Sequence, residues 1–256
     1  NQKTYKQAMS RLVLHYSDST LLMLEQTQTS VLDSSYPLEM DKPFAKERMS
    51  NPIKEALLKS TLGSCFWFGP DYTLFPRALF DPTQLTAYYQ LNHGPLPSQY
   101  FLNYQILEAL DLVFIYSIPI WLYDYAKYEL QVTLVKHSIA HQIQYLNANN
   151  ATDRVALLIE KSHFVLLCFK ERQLLSCTTN EYQQVSDILY FLLAQQQKLQ
   201  LPNHVELDLY DASAHFDFSS FEALLKQFKD FEHYQTTFYD TPTYQNQILC
   251  ASFEDH

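Results

Sequence analysis

Glycine is nearly missing from this chain. Its 256 residues hold only three, Gly63, Gly69 and Gly94. Loops that cradle phosphate need glycine for close backbone approach and for positive φ. No Walker or dinucleotide-binding loop can be written on this chain. Basic runs are missing too: 18 Lys and Arg stand against 28 Asp and Glu, a formal net charge of -10. That balance excludes a general nucleic-acid binder, which needs clustered cations to neutralise phosphates. The four cysteines, Cys65, Cys168, Cys177 and Cys250, form no Cys-x-x-Cys pair. The first three sit in apolar, strand-like runs and read as reduced core thiols. No stretch approaches the roughly 18 apolar residues of a membrane-spanning helix, so no membrane partner is expected. Residues 1–5 lack a signal-like apolar region, and a cytoplasmic protein is expected.

What the chain does have is apolar bulk, 47% of its residues, enough to pack one or two domains. Residues 154–159, 164–169 and 173–178 read as three strands, the second of them the apolar run Phe164-Val165-Leu166-Leu167-Cys168-Phe169. Asn180 is placed to cap a helix running to about Lys198. A strand at 204–209, a helix capped by Ser219 or Ser220, and strands at 234–239 and 248–253 follow. The first half repeats the plan. Strands at 11–14, 20–25 and from Ser30 precede a helix capped by Ser50, or by Asn51 ahead of Pro52, and ending near Gly63. Then come strands at 64–68 and 72–76, a helix opened by Asp81-Pro82, a strand at 111–117, and a helix after Pro119. A strand at 131–135 and a helix from Ser138 complete it. The polar run 147–153 marks a boundary between residues 1–148 and 149–256. Both halves read as three strands, helix, strand, helix, strand, an α/β plan with mixed sheets.

Three stretches resemble a domain-of-unknown-function family found in Bacteroidetes. They are Tyr72-Thr73-Leu74-Phe75-Pro76-Arg77-Ala78-Leu79-Phe80-Asp81 with residues 88–92, His137-Ser138, and Asp187-Ile188-Leu189-Tyr190-Phe191-Leu192-Leu193. The resemblance implies an actin-like ATPase fold, two ribonuclease-H-like halves facing each other across a cleft. Nucleotide-binding proteins of that fold carry glycine-containing phosphate loops in the first hairpin of each half and a glycine-rich adenosine loop later in the second half. Here the three positions offer His15-Tyr16-Ser17-Asp18-Ser19-Thr20, Glu160-Lys161-Ser162-His163 and Leu209-Tyr210-Asp211-Ala212-Ser213-Ala214. None contains glycine, so the resemblance implies an actin-like fold without its ATP site.

Other constellations carry alternatives. His137 and His141, four apart near a helix start, would share a face and could hold zinc, but no third ligand follows from spacing. Asp18, Asp111, Asp187 and Asp208 could meet to hold Mg²⁺ for nuclease chemistry, yet the first strand itself carries no acid. Ser64-Cys65 and Ser176-Cys177 lack any nucleophile-elbow signature. Tyr88, Tyr89, Tyr123, Tyr125 and Tyr128 could equally line a partner surface or edge the core. Two readings follow. The first is a non-catalytic actin-like protein, without cofactor, that binds a protein partner of basic character. The alternative is an atypical Mg-ATP-binding ATPase or sugar-kinase-like enzyme. In it Asp18, Ser19 and Thr20 would contact phosphate and Mg²⁺, with Asp211 near the ribose.

Overall fold

The computed structural model describes residues 10–17, 20–26, 31–37, 45–58, 60–132, 135–149, 153–202, 204–212 and 216–240. Asp18, Ser19, Cys250 and the strand expected at 248–253 lie outside them. Two units divide the chain, one holding the residues up to 141 and the other residues 142–251.

The first unit begins with the antiparallel meander β1 (Ser10–Tyr16), β2 (Thr20–Gln26) and β3 (Val31–Pro37). Helix α1 (Ala45–Leu57) leads to β4 (Ser60–Trp67), which runs parallel to β1. Leu12, Val13 and Leu14 are all fully buried, as a strand covered on both faces requires. Two expectations shift here. The helix does not start at Ser50 or Asn51; it starts at Ala45 and carries Pro52 inside. Proline forfeits one helical hydrogen bond, but Ile53 and Ala56 are buried, and that packing holds the helix together. Gly63 does not end a helix either. Leu12 pairs with Leu62 and Val13 with Ser64, so Gly63 is the extra residue of a β-bulge.

A second sheet grows out of the chain between β4 and the helix that follows Pro119. Strands β5 (Tyr72–Pro76), β6 (Tyr100–Leu107) and β7 (Leu112–Pro119) pair antiparallel in the order β5-β7-β6. Helix α2 (Leu85–His93) packs on one face, where Tyr89, Leu102, Val113 and Ile115 form a core. Asp81 caps the turn before α2, its carboxylate accepting the Thr83 N–H at 2.9 Å. Helix α3 (Ile120–Asp124) follows Pro119 and widens into a π-helical turn over Tyr125–Glu129. Of the strand expected at 131–135, residues 133 and 134 lie outside the described residues, and the described strand here is β8 (Lys136–His137). Val132 donates its N–H back to Ala126 O at 2.9 Å, so residues 131 and 132 close the helix. The main sheet of this unit has the order β3-β2-β1-β4-β8. Helix α4 (Ser138–Ala148) follows β8.

The second unit has β9 (Arg154–Ile159), β10 (His163–Lys170), β11 (Gln173–Glu181), α5 (Val185–Leu199), β12 (Glu206–Asp211), α6 (Phe218–Leu225) and β13 (Gln235–Tyr239). Three strands, helix, strand, helix, strand is the order read from the sequence. The sheet runs β11-β10-β9-β12-β13, with β9, β12 and β13 parallel. Phe164, Leu166, Leu207 and Leu209 pack with Ile188, Leu192 and Phe221 into one core. Asn180 does not cap α5, because β11 continues through it by pairing with Phe164 and His163. Gln184 and Asp187 form the capping box instead. Asp217, not Ser219 or Ser220, caps α6 by accepting the Ser220 N–H at 3.0 Å.

Candidate functional site

In open α/β sheets ligands bind beyond the carboxyl ends of parallel strands. In the second unit that edge is formed where β9 and β12 end, at Glu160, Ser162, His163, Tyr182 and Asp211. The Glu160–His163 turn is closed on itself. Glu160 donates its N–H to His163 O at 2.9 Å. Tyr182 clasps the turn twice, its N–H donating to Ser162 O at 3.1 Å and its hydroxyl to Glu160 O at 2.8 Å. Burial first, then the charges of Asp211 and Glu160, raise the Tyr182 phenol above its ordinary range. Asp211 is buried, and its carboxylate accepts the Phe216 N–H at 3.2 Å. Ala212 donates its N–H to Ile159 O at 2.8 Å. A phosphate site works by aiming unpaired N–H groups at the anion. At this edge the amides of Glu160, Tyr182, Ala212 and Phe216 all donate to protein acceptors, and the nearby acids are Glu160 and Asp211.

The matching edge of the first unit is packed with rings. Asp18 and Ser19 lie outside the described residues, and Thr20 opens β2, its backbone paired with Pro37. His137 is fully buried among Phe114 at 4.9 Å, Tyr116 at 5.1 Å and Tyr72 at 5.9 Å, ring centre to ring centre. Its Nδ1 accepts the Ile139 N–H at 3.3 Å, which leaves Nε2–H to donate to Gly69 O at 3.1 Å. Its own N–H reaches the Gln105 side-chain oxygen at 2.5 Å. Burial holds this imidazole neutral, with a pKa of about 3, and holds the buried His15 at about 4. A methyl group on Gly69 would lie 2.7 Å from the Trp67 indole nitrogen. Gly69 therefore serves close packing, and Gly94 ends α2 at φ 73°.

The remaining sequence candidates are dispersed. His137 belongs to β8 and caps α4 through its ring, so it shares no helix face with His141, which packs on Phe66. No group of three His, Cys, Asp or Glu able to hold a metal occurs among the described residues. Asp111 takes a left-handed turn before β7, and Asp187 accepts the N–H groups of Gln183 and Gln184. Cys65 and Cys168 are buried, which pushes both thiols up to about 12; neither is an activated nucleophile. Tyr89 and Tyr125 are buried, whereas Tyr128 is 69% exposed.

Asp208, the last of the Mg²⁺ candidates, lies instead beside Arg154 and Glu206, two residues the sequence reading did not single out. Arg154 donates to Glu206 from Nε at 3.2 Å and from a terminal nitrogen at 2.6 Å. Its Nε also lies 3.2 Å from Asp208 Oδ2, but the N–H points at Glu206, so Asp208 receives charge without an aligned hydrogen bond there. Burial is the main cause that lifts Asp208 to about 6; Arg154 opposes it and Glu206 adds to it. The Leu207-Asp208-Leu209 alternation reads as a solvent-facing acid, and no sequence signal joins Asp208 to Arg154.

No helix among the described residues is long and apolar enough to cross a membrane. No curated protein matches the sequence. Two solved structures share the fold. A Bacteroides thetaiotaomicron protein with actin-like ATPase fold and unknown function aligns with a TM-score of 0.76 at 16% identity, over 98% of each chain. A chain of the PilM-PilN type IV pilus biogenesis complex aligns with a TM-score of 0.56 at 12% identity, over 95% of this chain and 98% of that one. The fold is thus the actin-like ATPase fold, and with residues 69–238 matching its model the chain belongs to the family described as protein of unknown function, DUF3822.

Proposed function

We propose that this chain is a non-catalytic actin-like protein that acts by binding another protein. The observation that carries this reading is the Glu160–His163 turn. It has no glycine, Tyr182 holds its carbonyls, and the amides of Glu160 and Tyr182 are spent inside the protein. The packing role of Gly69 and the staple between Asp211 and Phe216 support the same conclusion. These residues do not fit a nucleotide. The net charge of -10 favours a protein partner with basic character over nucleic acid. A solved structural neighbour that is itself part of a protein complex is consistent with such a role.

The test is thermal unfolding with Mg-ATP, with Mg-ADP and without nucleotide. A ligand at a hundred times its Kd adds about 2.7 kcal/mol, or roughly 5–10 °C for a chain of this size. We expect no shift at millimolar nucleotide. A saturable shift abolished by Asp18→Ala or Asp211→Ala would overturn this reading. It would support the alternative, in which Asp18, Ser19 and Thr20 meet phosphate and Mg²⁺ and Asp211 the ribose.

A further inference from the structure

Large apolar side chains are exposed mostly in one part of the first unit. Of ten such residues among those described, Leu79, Leu91, Phe101, Ile106, Ile120 and Tyr128 all lie between β5 and the end of the π-helical turn. Part of this surface is continuous. Phe101, 41% exposed on β6, packs against Tyr123 with ring centres 4.8 Å apart and planes tilted by 33°. Ile120, 40% exposed, opens α3. The Lys127 ammonium sits 5.4 Å from the Tyr123 ring centre and 5.3 Å from that of Tyr128. Two rings on one side of a helix therefore already hold a cation, and they do so at a π-helical turn closed by Leu130 N–H to Tyr125 O at 3.1 Å. Such turns recur at functional sites.

Charge indicates what this surface fits. Across residues 69–132 two cations, Arg77 and Lys127, stand against six carboxylates, and Arg77 is already paired with Glu108. Asp124 is exposed on the same turn as the rings. We propose that this face docks a basic segment of a partner protein, with an arginine or lysine stacking on Tyr123 and Tyr128 in place of Lys127. Guanidinium is less hydrated than ammonium and stacks better on aromatic faces, so an incoming arginine can displace the resident lysine. Phe101 and Ile120 would cover the aliphatic stem of the incoming side chain. This inference rests on the protein-binding reading above and gives it a place and a partner chemistry.

The experiment selects random displayed dodecapeptides on the full chain and measures the winners against variants. Expected are peptides carrying Arg or Lys beside apolar residues. Tyr128→Ala should weaken them about tenfold, the worth of one stacked cation, with unchanged melting, since Tyr128 is exposed. Lys127→Gln should strengthen them by removing the resident competitor. Loss of binding in Lys127→Gln would mean that the lysine itself grips an acidic partner, and would overturn the proposal. So would winners without basic residues, or no winners at all. Peptides that bind but ignore Tyr128→Ala and Phe101→Ala would move the docking face elsewhere and leave the protein-binding reading standing. That reading falls on the nucleotide titration, not on this one.

Discussion

Gly69 has no room for a methyl group, because the Trp67 indole nitrogen would lie 2.7 Å from it. Trp67 cannot swing away freely: it is buried, and its N–H donates to Ser117 O at 2.9 Å. Gly69→Ala should therefore cost about 1–3 kcal/mol, the usual range for overpacking, read as a lower urea midpoint with an unchanged slope. Gly94 has nothing within 4 Å of such a methyl, and only its positive φ resists substitution. Gly94→Ala should cost about 1 kcal/mol or less. A larger loss at Gly94 than at Gly69 would contradict this account. Arg154 gives the second residue-scale prediction. Removing it takes the guanidinium donor from Glu206 and leaves Asp208 buried without its cation; a carboxyl already raised to about 6 takes up a proton instead, so Arg154→Met should cost about 1–3 kcal/mol. Arg154→Met combined with Asp208→Leu should recover most of that loss, and failure to recover would show the pair to be more than an ion pair.

At the scale of elements, the start of α5 rests on Asp187, whose carboxylate accepts the N–H groups of Gln183 and Gln184. Those bonds hold Asp187 below the usual carboxylate range. In Asp187→Ala, amide exchange should quicken over the first turn of α5 and stay unchanged near Leu192. Uniform quickening would assign Asp187 a wider role. Much of this level was legible in the sequence. Strands β9 and β10 announced themselves because both are buried apolar runs, and α2 because Asp81-Pro82 opens the turn that leads into it, Asp81 capping that turn with its own side chain. Strand β6 went unread. Gln105 is buried to take the His137 N–H, and Asn103 turns its oxygen to the Tyr104 N–H, so inward polar groups erased the alternation. The glycine-free turns were visible as letters. The Tyr182 clasp that closes one of them was not, since it joins residues 22 apart. Arg154 and Asp208 are separated further still, and only the parallel pairing of β9 and β12 brings them together.

For the whole molecule, pH should act on the two units in opposite directions. His15 and His137 are neutral in the native first unit, with pKa values of about 4 and about 3, against about 6.5 when unfolded. Their contribution is complete above pH 6.5 and drains away as the pH falls towards 4. Asp208 in the second unit is raised to about 6 from about 3.8. Its contribution is complete below pH 3.8 and is lost as the pH rises through 6. Acidification from pH 7 to pH 5 should therefore lower exchange protection in β1 relative to β12, after correction for intrinsic rates. Equal changes in both strands would refute the assignment. The sheet β5-β7-β6 carries a last consequence. Its entry and exit lie side by side, Ser117 donating its N–H to Asp71 O at 3.3 Å, as in a detachable cassette. Yet Tyr72, Phe114 and Tyr116, which wall in His137, all belong to it. A relative that dispensed with this cassette would have to dispense with the histidine as well, and the two should be gained and lost together.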